Sequence, residues 1–355
     1  DNINEVNKEI FKLNNLIILN PHLIKNPETL CSSELAYLLA REISENNKDL
    51  AYLAILGMVG DVMENQINKI RNQIINDANI EIKKGLLIYP STRPLDKSLE
   101  YSSRPFIPGV TGNPKGILEI LKEAGIEKIG KKYKALVDLD AKEMKALATA
   151  IMLRLQPKGI SYYKEFSEYI GNLYLLKLFN KIEDAREISA IINACSRMGD
   201  SQTALLLCLG NNEARKRAER FYIKYKQQII SGLKYIENNN KIQGREYVII
   251  NAKDNIKDTI IGTLASILSF SSSYKEGTVI IIMAYIENNI KVSSRVVGRN
   301  SHRNLKELMD SIIDSLENGY SGGHKFAAGC TIKSEDENKF LELAQRKLEY
   351  EMIKV

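Results

Sequence analysis

Residues 322–329 read GGHKFAAG, and this segment of the 355-residue chain is the one best suited to holding a charged ligand. Gly322 and Gly323 let a backbone approach a ligand closely, because no Cβ stands in the way. His324 and Lys325 follow, both able to donate hydrogen bonds to a phosphate. Ala327, Ala328 and Gly329 then permit close packing as the chain enters a strand. A plain glycine turn carrying an incidental histidine fits the same letters, and the residues alone do not choose between the two readings.

Upstream, SSRVVGR supplies Ser294, Arg295 and Arg299 at the end of a strand that leads into a helix capped by Asn300. A strand-to-helix turn presents free N–H groups and a positive dipole end, which suits an oxyanion. Together with the GGH loop it would form a two-walled phosphate grip; solvated surface arginines are the plainer alternative. A third basic element runs from about Glu213 to Ile236. There Arg215, Lys216, Arg217, Arg220, Lys224 and Lys226 interleave with Phe221, Tyr222 and Tyr225. Spacings of three and four place several cations on one helix face, where they could follow a phosphate backbone. A solvated helix with a buried aromatic stripe fits as well. His22 reads as a loop residue and His302 as a solvated residue in the first turn of a helix.

These segments need elements to position them. The first 80 residues alternate helical patterns with a short apolar strand, Leu16 to Leu19, followed by a helix capped by Ser32 or Ser33 and another over Leu50 to Val59. Pro90, Pro94, Pro105, Pro108 and Pro114 exclude regular helix from most of residues 89–114. Residues 115–235 read as helical. The last third alternates strand and helix: Tyr247 to Ile250, Asp258 to Phe270, Gly277 to Ile286, Lys291 to Val297, a helix from Asn300 to about Asn318, and a strand ending at Ile332. Ser334 with Glu337 forms a capping box for a final helix. Such alternation implies an α/β fold.

A net charge of +6 and a pI near 8.8 lean toward an anionic partner. Cys31, Cys195, Cys208 and Cys330 form no CxxC pair, so buried thiols in a reducing compartment are expected rather than a zinc site. The apolar run Val279 to Ile286 falls well short of the roughly 20 residues that span a bilayer. No basic-then-apolar leader opens the sequence, so the expected location is cytoplasmic, away from the membrane.

GGHKFAAG, preceded by the SSR strand and an amphipathic helix, resembles the DHH-associated nucleic-acid-binding domain of RecJ-type nucleases and related phosphodiesterases. LGMVGD, Leu56 to Asp61, is similar to the fourth metal-site motif of DHH phosphoesterases. RPFIPGVTGN (Arg104 to Asn113) and AREISAIINACSRMG (Ala185 to Gly199) resemble segments of the archaeal RecJ-like branch. This resemblance implies an α/β architecture in three parts: the remainder of a DHH catalytic domain at 1–88, a Pro/Gly-rich connection with a helical insertion at 89–238, and the DHH-associated domain at 239–355.

What the resemblance further implies is a single-strand exonuclease of DNA repair or replication, using two Mn²⁺ or Mg²⁺ ions. One ion-bound hydroxide would attack, and both ions would neutralise charge. Asp61 would be a metal ligand. His324, with Gly322, Gly323 and Lys325, would grip the phosphate, helped by Ser294, Arg295 and Arg299. The substrate would be single-stranded DNA or RNA. No DHH tripeptide occurs in the sequence, and Asn20-Pro21-His22 resembles the turn that follows that motif in the family. The two-metal site is therefore expected to be complete only with motifs that lie ahead of this sequence. Two alternatives stay open: a non-catalytic replisome scaffold that binds GINS and the MCM helicase, and a phosphodiesterase for short oligonucleotides or cyclic dinucleotides.

Overall fold

The computed structural model describes residue 20 and residues 29–102, 105, 107–155, 169–270, 274–298, 303–316 and 319–353. The strand expected at Leu16 to Leu19, the Pro21-His22 turn, Arg299, Asn300 and His302 lie outside them. The chain divides into two compact units, Asp1–Ala190 and Ile191–Val355.

In the first unit, α1 (Ser32–Ile43), α2 (Ala51–Gly60) and α3 (Lys69–Ala78) lead into β1 (Glu81–Leu86). The cap of α1 is Cys31 rather than Ser32 or Ser33, because Glu34 reaches back to the Cys31 N–H at 2.7 Å. Within the proline-rich stretch the described residues form α4 (Leu95–Glu100), with Pro94 at its N-cap, before the next helix opens at Pro114. Next come α5 (Pro114–Glu123), the small hairpin β2 (Lys128–Ile129) and β3 (Lys132–Tyr133), α6 (Ala141–Leu155), β4 (Ile170–Leu178) and β5 (Lys181–Asp184).

Strands β1, β4 and β5 form an antiparallel sheet in the order β1-β4-β5. This corrects the all-helical expectation for residues 115–235. Leu173 to Leu176 are buried on both sides of β4. A run with no alternation of apolar and polar residues carries no strand period, so it reads like a buried helical turn. Leu86, Ile107, Ile117, Leu147 and Leu173 share one core there.

The unit boundary falls inside α7 (Ala185–Arg197). The second unit continues with α8 (Ser201–Cys208), α9 (Asn212–Asn238), β6 (Ile242–Gln243), β7 (Tyr247–Asn251), α10 (Ile261–Ser269), β8 (Val279–Ile286) and β9 (Asn289–Val296). It closes with α11 (Leu305–Ile313), β10 (Gly319–His324), β11 (Ala327–Lys333) and α12 (Glu337–Ile353). A six-stranded sheet runs in the order β10-β11-β9-β8-β7-β6; only the β7–β8 pair, joined through α10, is parallel.

Alternation along the strands feeds two cores. Ile249, Ile281, Val292 and Cys330 meet α11 and α12 on one face, while Val248, Ile250, Ile280 and Ile282 meet α10 and α9 on the other. Two helix starts differ from expectation. Asn304, not Asn300, caps α11, its Oδ1 accepting from Lys306 and Glu307 N–H, and α11 ends at Ile313. Ser334 opens a short 3₁₀ turn, and Glu337 is taken up by Asn251 and the Tyr285 hydroxyl rather than by a capping box.

Candidate nucleic-acid interface

The GGH segment is a strand, not a loop. Gly322, Gly323 and His324 end β10 and pair with Gly329, Ala328 and Ala327 of β11, leaving Lys325 and Phe326 as the turn. The neighbouring register sets Ala327 opposite Arg295, Ala328 opposite Ser294 and Gly329 opposite Ser293. Residues paired across antiparallel strands point to the same face, and alternate residues share it. Three rows therefore line the sheet face turned away from α11 and α12: His324–Ala327–Arg295, Gly322–Gly329–Ser293 and Tyr320–Thr331–Lys291.

Small residues in the middle strand make this face a trough. Its two walls stand two strand spacings apart, about 10 Å, with exposed Tyr320 and His324 on the edge strand and Lys291, Ser293 and Arg295 opposite. A sugar-phosphate chain fits that width. Lys325 is exposed beside it, its Nζ 5.4 Å from the Phe326 ring.

The two glycines do different work. Gly323 has φ of +134°, and a Cβ there would lie 2.4 Å from the Ala327 carbonyl oxygen. Gly322 has nothing within 4 Å of where a Cβ would stand. Gly323→Ala is accordingly expected to lower stability by about 1–3 kcal/mol. Gly322→Leu is expected to melt like the unmodified chain while weakening strand binding, because its side chain would stand in the trough. Thermal unfolding and strand-binding titrations on the two variants check this; equal melting temperatures with equal affinities would sink the assignment.

Arg295 is held in place. Its Nε donates to Ser266 Oγ of α10 at 3.0 Å, and its Nη1 donates to the Ser294 carbonyl at 2.7 Å. Gly262 of α10 lies beside the guanidinium, whose Nη2 would be in ordinary contact, 3.6 Å, with a Cβ at that position. Burial, and then the like charge of Arg197, push the Arg295 pKa down. An anion placed beside the two cations would relieve that strain. Arg197, whose Nη1 donates to the Thr259 carbonyl at 3.3 Å, also borders a cavity of about 390 Å³ shared with Asp254, Lys257, Asp258 and Tyr285.

Ser294, expected at the strand end, is fully buried on the opposite face, where its Oγ donates to the Ala328 carbonyl at 2.9 Å. Ser293 takes its place on the trough. Arg197, Ser293 and Lys291 are the residues that reading the motifs missed. Period two through Lys291, Ser293 and Arg295 carried the signal for two of them, whereas Arg197 depends on tertiary placement.

Asp61 follows the last turn of α2, exposed, its N–H donating to the Gly57 carbonyl at 2.9 Å. The glycines of LGMVGD serve packing: a Cβ on Gly57 would lie 1.7 Å from Ser33 Oγ, and one on Gly60 2.7 Å from Ser189 Oγ. Among the described residues no group of three or more His, Cys, Asp or Glu side chains is placed to hold a metal ion. Two divalent ions each need several ligands. Asp61 offers one carboxylate, so the described residues by themselves do not make a two-ion centre.

Comparison with known proteins places these features in a family. Residues 223–349 match the DHHA1 domain and residues 88–165 the DHH-CID domain. The chain thus carries a DHH-CID domain followed by a DHHA1 domain. An uncharacterized protein of Methanocaldococcus jannaschii is 26% identical over 342 residues, covering 94% of this chain and 72% of that protein. In fold, the chain is similar to CDC45 from Entamoeba histolytica, with a TM-score of 0.56 at 10% identity over 93% of this chain and 74% of that one. RecJ in complex with Mg²⁺ from Thermus thermophilus gives a TM-score of 0.51 at 15% identity, covering 92% of this chain and 40% of RecJ. None of the described helices is long and apolar enough to cross a membrane.

Proposed function

We propose that this chain grips a single nucleic-acid strand in the trough of β9, β11 and β10, as the substrate-holding part of a RecJ-like exonuclease that uses Mn²⁺ or Mg²⁺. The observation that carries the reading is the His324–Ala327–Arg295 row, a fixed guanidinium and an imidazole facing each other over small residues. Arg295 supplies a planar, permanently charged donor for a phosphate oxygen. Ser293 and Lys291 extend the polar wall along β9, while His324 and Lys325 close the other side. The chain spans 40% of RecJ, and in this reading Asp61 contributes one ligand to a centre whose other ligands lie elsewhere.

The test is degradation of an end-labelled single-stranded 20-mer in Mn²⁺, with Asp61→Ala in parallel. Salt-sensitive binding without cleavage supports a chain that grips the strand while the other metal ligands lie elsewhere. Release of mononucleotides that stops in the variant would mean that this chain holds a working metal site by itself, and would overturn the placement of those ligands elsewhere. Absence of salt-sensitive binding sinks the strand grip itself.

The second reading keeps the grip and drops the chemistry. In it the chain is a replisome scaffold whose partners are GINS and the MCM helicase. What supports this reading is that the fixed Arg295 and the small residues of β11 can hold a strand without any metal ligand. A DHH motif encoded ahead of residue 1 would overturn it.

A further inference from the structure

We propose that the exposed face of α9 is a second contact for the same strand, following its phosphates beyond the trough. This rests on the reading that the chain's ligand is a single nucleic-acid strand, and it adds a surface that the trough does not include.

Lys216, Arg220 and Lys224 succeed one another at intervals of four residues and are all exposed. On a helix that spacing keeps them within an arc of about 80° and sets them about 6 Å apart along the axis. Like charges at i and i+4 destabilise a helix, yet α9 places two such pairs in succession. Arg220 has Lys216 and Lys224 as its i±4 neighbours, and Arg217 and Ile223 as its i±3 neighbours, so no carboxylate is in reach along the helix.

Of the acids nearby, Glu213 lies three residues before Lys216 without an ion pair to it among the described residues, and two others are engaged elsewhere. Glu219 pairs with the buried Arg215 at 3.1 Å, and Asp200, the N-cap of α8, pairs with Arg217 at 2.6 Å. Among the described residues none of Lys216, Arg220 and Lys224 forms an ion pair. The opposite side of the helix is committed to the fold: Tyr225 is buried with its hydroxyl 2.8 Å from Thr263 Oγ, and Gly232 is packed against Leu264.

Ile223 and Ile230, both exposed, lie on the cationic face, and Phe221 at its margin is half-buried beneath Arg217, 5.8 Å from the ring centre. Regularly spaced cations among apolar side chains complement a flexible chain that carries one negative charge per nucleotide and unstacked bases.

The experiment compares the unmodified chain with a Lys216→Ala, Arg220→Ala, Lys224→Ala triple variant and a charge-keeping Lys216→Arg, Lys224→Arg variant. Each is titrated with a labelled thymidine 3-mer and 20-mer across a salt series. All three positions are exposed, so the melting temperature is expected to hold. The triple variant should bind the 3-mer unchanged but the 20-mer more weakly. Its slope of log affinity against log salt should fall by about 2, from roughly 0.7 per lost phosphate contact. The charge-keeping variant should match the unmodified chain.

An unchanged slope and affinity for the 20-mer in the triple variant overturns the α9 contact and leaves the trough standing. Failure of the unmodified chain to bind either oligonucleotide overturns the trough reading, and this inference with it.

Discussion

Arg71→Ala is expected to lower the stability of the first unit by about 3–5 kcal/mol, the range for stranding one member of a buried ion pair. Arg71 and Glu34 are each 1% exposed and meet at 2.7 Å. The guanidinium also donates to the carbonyls of Gln66 at 2.6 Å and Thr29 at 2.7 Å, while the second Glu34 oxygen accepts from Cys31 N–H at 2.7 Å. Truncation leaves the Glu34 carboxylate buried without its counter-charge. It also frees the segment after Asp61, since Gln66 is tied down only in part by its own backbone bond to Met63.

The measurement is chemical denaturation of Arg71→Ala beside a double variant, Glu34→Leu with Arg71→Met. The double variant should recover much of the loss, because an apolar pair strands no charge. A single variant within about 0.5 kcal/mol of the unmodified chain would remove the pair from the account of this unit, surface substitutions typically falling in that range.

That pair shows where sequence reading stops. Glu34 and Arg71 stand 37 positions apart, and neither belongs to a motif, so no local period connects them. What local composition and period carry came through well in the second unit. Gly277 to Ile286 and Tyr247 to Ile250 read as strands and stand at Val279–Ile286 and Tyr247–Asn251, and the helix read from about Glu213 to Ile236 is α9. β7 and β8 are apolar and buried on both faces, so their β-branched runs Val248 to Ile250 and Val279 to Ile282 mark them as strands, whereas α9 repeats at helical spacing. β4 is buried in the same way, but its buried run, Leu173 to Leu176, holds no β-branched residue, so it reads like a buried helical turn.

The site was legible as a segment but not as a face. Reading SSRVVGR as a strand end made Ser294 and Arg295 equal partners. A strand running through both sends them to opposite sides, and a shift of one residue exchanges core for trough. Ser294 bonds inward to Ala328, whereas Ser293 shares the trough with Arg295. Reading GGH as a loop missed that Gly323 is required by its own backbone while Gly322 keeps a surface clear. That distinction depends on β11 lying alongside, and β11 is invisible from the glycines themselves.

Arg295→Gln is expected to weaken single-strand binding about 10- to 100-fold, the equivalent of one charge-assisted hydrogen bond to a phosphate. The guanidinium is already aimed before any strand arrives, by Ser266 Oγ at 3.0 Å and the Ser294 carbonyl at 2.7 Å, so little freedom remains to be lost on binding. Arg295→Lys should recover only part of the affinity, since an ammonium on a flexible stem cannot reproduce the planar fork.

Salt dependence separates a phosphate contact from a general loss of structure. Losing one phosphate contact should lower the slope of log affinity against log salt by roughly 0.7 in either oligonucleotide length. A misfolded trough would instead lower the melting temperature and abolish binding at every salt concentration. If Arg295→Gln binds both the 3-mer and the 20-mer with the unmodified slope, Arg295 only braces α10 against β9, and the strand lies elsewhere on the chain.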